Sequence, residues 1–96
     1  MYTVIRQYDA AGELGDLMVQ RADEVNEVIG TVPGFVAYYA ARDGDRMTSI
    51  TICNDRAGVE ESSRRAAAWV KENLPNAKLG APTTRQGDVF IDFTKA

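Results

Sequence analysis

The sequence predicts one α+β domain, residues 1–96, in which strands and helices follow the order β-α-β-β-α-β. Its length suits a single domain. The spacing of its apolar residues switches between the two-residue period of strands and the 3.6-residue period of helices. Between two β-rich runs, Asp43-Gly44 indicates a two-residue hairpin, which we expect to be a type I′ turn.

The first half of the chain predicts a strand, a helix and a second strand. Tyr2 to Tyr8 is rich in β-branched and aromatic residues, as strands are. From Glu13 to Gly30 apolar residues recur at helical spacing, which predicts one continuous helix. Pro33-Gly34 prevents the helix from continuing, and Phe35 to Arg42 is the second strand.

The second half predicts a strand, a helix and a last strand. Arg46 to Cys53 is the antiparallel partner of the second strand. Asn54 or Asp55 can cap a second helix that runs to about Leu74. Asp88 to Phe93 alternates polar and apolar residues and predicts the last strand. This order is the ferredoxin-like motif, a four-stranded antiparallel sheet with two helices on one face.

The predicted strands carry apolar side chains on both faces, and this favours a homodimer. Phe35 and Tyr39 oppose Val36 and Tyr38, and in the last strand Phe90 opposes Ile91. Two helices can cover only one face of the sheet, so the other face needs a partner. We therefore expect a second copy of the chain to pack on that face and bury more than ~1,000 Å².

Composition argues against several kinds of partner. The net charge is −3 without a basic patch, so we expect no nucleic-acid partner. No apolar stretch approaches the ~20 residues of a membrane span, so we expect no membrane insertion. The N-terminus has strand-like sequence rather than a leader pattern, which favours a cytoplasmic protein.

The side-chain inventory also limits the chemistry. The chain contains no histidine and one cysteine, Cys53. A histidine base, a histidine–cysteine dyad and a histidine-based metal site are thereby excluded. We expect no bound metal, haem or flavin, because ligands for the first two are scarce and no dinucleotide fingerprint supports the third.

Several motifs together resemble the antibiotic-biosynthesis-monooxygenase (ABM) superfamily of dimeric α/β barrels, over nearly the whole chain. They are Val32-Pro33-Gly34-Phe35, the Tyr38-Tyr39 pair before Arg42-Asp43-Gly44, Ala68 to Pro75, and Gln86-Gly87-Asp88-Val89. The resemblance implies a homodimer with a ligand pocket between helices and sheet. Relatives include cofactor-independent monooxygenases that act on aromatic polyketides, haem-degrading enzymes and quinol monooxygenases.

The chain departs from this family at the residues that often carry its chemistry. The aromatic residue that many members have at the end of strand three is Cys53 here, and a histidine early in helix two is Ser62. The histidine that would ligate haem iron has no counterpart, so haem degradation is not expected. The sequence therefore identifies no catalytic residue.

Seven residues are candidates to line a pocket between helix two and the sheet: Arg6, Tyr8, Tyr38, Ser62, Ser63, Ala66 and Trp69. Arg6 could hold a phenolate or carboxylate while Tyr8 donates a hydrogen bond, or Arg6 could be an interface arginine with a partner. The small residues of helix two indicate either open space or a close approach to the sheet. Trp69 could border the pocket or fill the seam.

Two functions stay open. One is a cofactor-independent monooxygenase, or a related enzyme, acting on a small aromatic substrate. The alternative is a non-catalytic small-molecule-binding or structural homodimer. The fold alone does not decide between them. A cleft of roughly 300 Å³ or more with convergent polar groups would favour a ligand, and a packed interior would favour the alternative.

Overall fold

A computed structural model describes residues 1–76 and 79–95, and it confirms the predicted α+β, ferredoxin-like fold. One four-stranded sheet has the order β2-β3-β1-β4, with every neighbouring pair antiparallel. The strands are β1 (Tyr2–Tyr8), β2 (Phe35–Asp43), β3 (Arg46–Cys53) and β4 (Thr83–Asp88). The helices are α1 (Gly12–Gln20), α2 (Ala22–Gly30) and α3 (Arg56–Asn73).

The prediction of one continuous first helix is wrong. Two nine-residue helices, α1 and α2, meet at Arg21, whose φ of −118° and ψ of 36° lie outside the helical region. The Arg21 side chain donates a hydrogen bond to Asn73 Oδ1 at the end of α3. Apolar residues continue at helical spacing on both sides of the bend, so the sequence period could not reveal it.

The hairpin is present, but the expected turn type is wrong. Asp43 pairs with Arg46, so the two loop residues are Gly44 and Asp45. Gly44 has a φ of 63° and Asp45 does not have a positive φ, which is the pattern of a type II′ turn. The Asp45 carbonyl accepts a hydrogen bond of 2.6 Å from the Ala11 amide, which joins the turn to the start of α1.

The predicted position of the last strand, Asp88 to Phe93, is also wrong. β4 ends at Asp88, which pairs with Tyr2, the first residue of β1. The Val89 amide makes one more bond, of 3.0 Å, to the Met1 carbonyl. Beyond this point β1 offers no further partner, so the alternating segment 89–93 lies outside the sheet. Phe90 is 90% exposed and Phe93 is 95% exposed.

The start and end of α3 agree with the sequence. Asp55 is the N-cap, and its Oδ1 accepts a hydrogen bond of 3.0 Å from the Gly58 amide. The helix ends at Asn73, one residue before the predicted end. None of the helices in the described ranges has the length and apolar character needed to cross a membrane.

The helices cover one face of the sheet, and the core on that face has three layers. β1, β3 and α3 each contribute to all three layers. The first layer is apolar and contains Val4, Cys53 and Val59. The middle layer is polar and is built around Arg6. The third, which we call the apolar layer, contains Tyr8, Ala11, Leu14, Met47 and Trp69.

Candidate functional site

Arg6 lies at the centre of the helix-covered face. Residues alternate along β1, so Val4, Arg6 and Tyr8 point towards the helices while Ile5 points the other way. β1 is one of the two inner strands of the sheet, and α3 packs over it. As a result, Arg6 is only 2% exposed.

Four hydroxyl groups surround the Arg6 guanidinium and together accept five hydrogen bonds. Nε donates to Ser63 Oγ at 3.3 Å, and Nη1 donates to Ser49 Oγ at 3.3 Å and Thr51 Oγ1 at 3.2 Å. Nη2 donates to Ser62 Oγ at 2.6 Å and to Ser63 Oγ at 3.1 Å. We call these five residues the Arg6 cluster. Because a guanidinium has five N–H groups, the cluster satisfies its full donor capacity.

The Arg6 cluster contains no negative charge. Within residues 1–76 and 79–95, none of the ion pairs involves Arg6. Burial lowers the pKa of Arg6, while Tyr8, Tyr38 and Cys53 oppose that shift. A guanidinium nevertheless stays protonated at neutral pH. The middle of the core therefore holds a cation whose hydrogen bonds all go to neutral oxygens.

Two tyrosines lie close enough to Arg6 to feel its charge. Burial raises the pKa of Tyr8, and Arg6 opposes the shift. Burial likewise raises the pKa of Tyr38, again against the influence of Arg6. Both phenols are therefore neutral at neutral pH, and each can donate a hydrogen bond.

The apolar layer contains a small, partly open cavity of about 30 Å³. This volume has room for one or two water molecules. Four predicted pocket residues lie on its wall: Tyr8, Tyr38, Ala66 and Trp69. Trp69 donates from Nε1 to Glu24 Oε1 at 3.0 Å, which fixes its indole between α3 and α2. The interior under this end of α3 is therefore nearly filled by side chains.

A larger space lies on the other side of α3. We call it the α3–β4 groove, and its volume is about 850 Å³. Arg6, Tyr8 and Ser63 lie on its wall, together with Thr84 and Gln86 of β4. Its apolar residues are Ala67, Val70, Leu74, Pro75, Leu79, Ala81 and Pro82. The groove is large enough for a small aromatic molecule.

A second open groove, of about 560 Å³, lies between the first two helices and β2. Its residues include Met18, Val25, Phe35 and Tyr38. Tyr38 borders both this groove and the small cavity, and Tyr8 borders both the small cavity and the α3–β4 groove. Of the two grooves, only the α3–β4 groove reaches Arg6.

The seven predicted residues thus fall into separate groups. Arg6, Tyr8 and Ser63 line the α3–β4 groove, while Tyr38, Ala66 and Trp69 line the small cavity, which Tyr8 also borders. Ser62 lines neither space, because its hydroxyl accepts from Arg6 and donates to the Val59 carbonyl at 2.6 Å. The small side chains of α3 leave room for the Arg6 guanidinium at this point.

Ser49 and Thr51 of β3 belong to the Arg6 cluster but are not among the seven residues predicted from the sequence. Both are buried, and both accept a hydrogen bond from Arg6 Nη1. The signal was present: polar Ser49 and Thr51 alternate with Ile50 and Ile52, so they share one face of the strand. Finding them required the register, in which Ser49 is directly opposite Arg6.

No family model and no curated protein matches the sequence, but solved structures resemble nearly the whole chain. A haem-degrading protein, MhuD of Mycobacterium tuberculosis, solved with two haems in its active site, has a TM-score of 0.68 at 13% identity, covering 98% of this chain and 100% of that chain. A putative antibiotic biosynthesis monooxygenase of Chloroflexus aurantiacus has a TM-score of 0.67 at 14% identity, covering 97% of this chain and 96% of that chain. SnoaB of Streptomyces nogalater, a cofactor-independent oxygenase, has a TM-score of 0.58 at 15% identity, covering 97% of this chain and 94% of that chain.

The chain therefore has the ABM fold, and the resemblance seen in the sequence is confirmed at the level of the fold. At these identities the likeness establishes the architecture that the proteins share. What each of them binds is a property of that protein.

The chain does not offer the histidine or thiolate ligand that often holds haem iron. No histidine is available as an axial ligand, and Cys53 is fully buried against Gly58 at the start of α3. Burial raises the pKa of the Cys53 thiol, and Asp55 adds to the shift, so the thiolate form that binds iron is disfavoured. The cavity of about 30 Å³ between helices and sheet is far too small for a porphyrin.

Proposed function

We propose that this protein binds a small aromatic molecule in the α3–β4 groove and oxygenates it without a cofactor. One observation carries the proposal: the wall of an open, mostly apolar groove includes a buried cation, Arg6, and a neutral phenol, Tyr8. Buried cations and hydrogen-bond donors beside an apolar surface are suited to stabilising negative charge that develops on a bound molecule.

The chemistry needs little from the protein. In cofactor-independent oxygenation the ionised substrate itself reduces O₂. An activated methylene becomes a carbonyl, one oxygen atom is retained, and the other leaves as water with the two methylene hydrogens. Electrostatic stabilisation of the substrate anion and a site that excludes water are the main contributions of the protein.

The groove residues can supply those contributions. Arg6 and Ser63 would stabilise the substrate oxygen, and Tyr8 would donate a hydrogen bond to it. Among the described residues, no carboxylate bonds to the Arg6 cluster to act as a base. The substrate would therefore be one that ionises readily once it lies near Arg6.

Oxygen uptake with anthrone tests the proposal. Anthrone has an acidic methylene, and its tautomer is a phenol. The protein should accelerate uptake over buffer, and ¹⁸O from ¹⁸O₂ should appear in the product. Arg6→Gln should lower the rate about 100-fold or more, as loss of a donor to a developing anion does. Arg46→Gln removes the same charge from an exposed site, and it should leave the rate unchanged.

The alternative, a non-catalytic binding or structural homodimer, is favoured by the nearly filled cavity under α3. In that case the wild-type protein would not accelerate oxygen uptake with anthrone. Binding to the α3–β4 groove could persist without turnover, so a ligand titration separates the binding form of this alternative from the structural one.

We also propose that the protein is a homodimer. On the face of the sheet away from the helices, Tyr39, Ile50 and Ile5 lie side by side across three strands. Tyr39 is 61% exposed and Ile5 is 39% exposed. A monomer would leave this apolar surface in water, whereas a second copy would bury it.

Sedimentation equilibrium tests the dimer. The wild-type chain should sediment as a dimer at micromolar concentration, and Tyr39→Lys should dissociate it because a buried charge at the interface is costly. Val19→Lys, on an exposed helix position, is the control and should remain dimeric. A wild-type monomer at that concentration would contradict the proposal.

A further inference from the structure

We infer that the ligand of the α3–β4 groove is an aromatic molecule with an ionised oxygen, which lies against Ser63 and Tyr8 and is held there by the charge of Arg6. The inference rests on the proposed ligand-binding role of the groove. It is independent of oxygenation, since an ionised ligand could bind without reacting.

The first reason is the uncompensated charge of Arg6. A buried arginine usually has a carboxylate partner, because removing a cation from water is costly. Here five hydrogen bonds to neutral hydroxyls replace the water, and the positive charge is left without an anion in the described part of the chain. An anionic ligand would supply the missing partner.

The second reason is the different orientation of two neighbouring hydroxyls. Ser62 Oγ donates its hydrogen to the Val59 carbonyl, inside α3. Ser63 Oγ accepts twice from Arg6 and faces the groove, and within the described residues it donates to no other group. A hydroxyl that accepts from a cation becomes a stronger donor. Ser63 can therefore donate to an anion in the groove while Arg6 stays buried.

The third reason is the charge of the groove wall. Arg6, Arg64 and Lys71 are cationic, and Glu60 is the single carboxylate among the described wall residues. Glu60 is paired with Arg56 at 3.2 Å, and Arg64 is paired with Glu61 at 2.8 Å, so Arg6 and Lys71 supply the positive charge of the wall. The groove therefore has an excess of positive charge, although the chain carries a net charge of −3. Such a local field attracts anions.

The fourth reason is the apolar surface beside the cation. Much of the wall is apolar and is formed by Val70, Leu74, Leu79 and Pro82, and Tyr8 borders both the groove and the small cavity. A small inorganic anion would use Arg6 and Ser63 but would leave this surface in water. An aromatic ring that carries the anionic group would use both.

Two shape-matched probes test the inference in the full chain: 2-naphthoate, which is ionised at neutral pH, and 2-naphthamide, which is neutral. Dissociation constants come from titrations followed by NMR at constant ionic strength. The acid should bind at least about 10-fold more tightly than the amide, since a hydrogen bond to a charged group contributes about 1.5–3 kcal/mol. Equal affinities, or no binding of the acid at millimolar concentration, would overturn the inference without any variant.

Substitutions then test which residues produce the preference for the acid over the amide. In Arg6→Gln the affinities for the acid and the amide should lie within about 2-fold of each other, a difference in binding free energy of roughly 0.4 kcal/mol. Ser63→Ala should weaken binding of the acid more than binding of the amide, although Arg6 is unchanged. Arg46→Gln, the exposed control, should keep the full preference, and a preference retained by both Arg6→Gln and Ser63→Ala would overturn the inference. If the preference holds but anthrone does not react, only the proposed oxygenation fails.

Discussion

The Arg6 cluster and the apolar layer lie side by side, yet they are built on opposite principles. β1, β3 and α3 each supply both regions: Arg6 and Tyr8 come from the first, Ser49 and Met47 from the second, and Ser62 and Trp69 from the third. In the apolar layer, burial itself stabilises the fold. In the Arg6 cluster, burial opposes the charge, and five hydrogen bonds offset that cost.

Neighbouring parts of one core can thus serve stability and ligand binding separately. A cation surrounded by hydroxyls stabilises less than apolar side chains of similar volume would. Its presence beside an open groove is more readily explained by a ligand than by folding. Stability and ligand binding should therefore respond to substitutions in different places.

The largest effect on stability should come from the apolar layer. Leu14 is 2% exposed and packs in this layer. Leu14→Ala should lower the free energy of unfolding by about 2–5 kcal/mol, through lost burial and the cavity that remains. Urea denaturation measures the change. Val19→Ala, at an exposed position of the same helix, should change it by less than about 0.5 kcal/mol. Similar losses at both positions would contradict the assignment.

A smaller loss should follow the removal of one acceptor in the Arg6 cluster. Ser62→Ala leaves Arg6 Nη2 with one fewer bond in a fully buried site, and it should cost about 1–3 kcal/mol. Ser63→Ala should cost less, because water from the groove can replace that hydroxyl. Urea denaturation compares the two variants, and a larger loss at Ser63 would show that the groove side is the more deeply buried one.

Removal of the cation itself should have a still smaller effect. Arg6→Met removes the buried charge and also the five hydrogen bonds to the hydroxyls. Because these two effects oppose each other, the free energy of unfolding should stay within about 1 kcal/mol of wild type. In this background Ser62→Ala should lose most of its effect, which a double-mutant cycle measures. A loss of more than about 3 kcal/mol in Arg6→Met would mean that the cluster is mainly structural.

The smallest effect concerns alkaline pH. Because burial raises the pKa of Tyr38, the folded protein holds this phenol proton more tightly than the unfolded chain. The resulting stability is fully present below about pH 10, the ordinary value, and is lost as pH rises through the folded-state pKa. Tyr38→Phe should reduce this alkaline loss. Wild type and Tyr38→Phe should be compared in the Cys53→Ala background, because the pKa of the Cys53 thiol is also raised. Ionisation of this thiol would otherwise add a similar loss of stability that begins at a lower pH.

The sequence predicts the fold better than the site because the two depend on different information. Periodicity and turn residues specified β1, β3 and α3 nearly to the residue. The bend at Arg21 and the end of β4 at Asp88 depend on tertiary partners, which no local pattern contains. The sequence alone identifies Arg6 as a polar residue of β1 and shows the small residues of α3. That the arginine occupies the space left by Ser62 became clear only from the strand register and the packing of α3.

A crystal structure of the wild-type protein with 2-naphthoate would show directly whether an anionic aromatic ligand binds beside Arg6. We expect the ligand to lie in the α3–β4 groove, with a carboxylate oxygen within about 3.2 Å of Ser63 Oγ and its rings against Tyr8 and Val70. A ligand bound instead in the groove beside β2, or on the face of the sheet away from the helices, would contradict this expectation. The Arg6 cluster would then be a structural feature of the core.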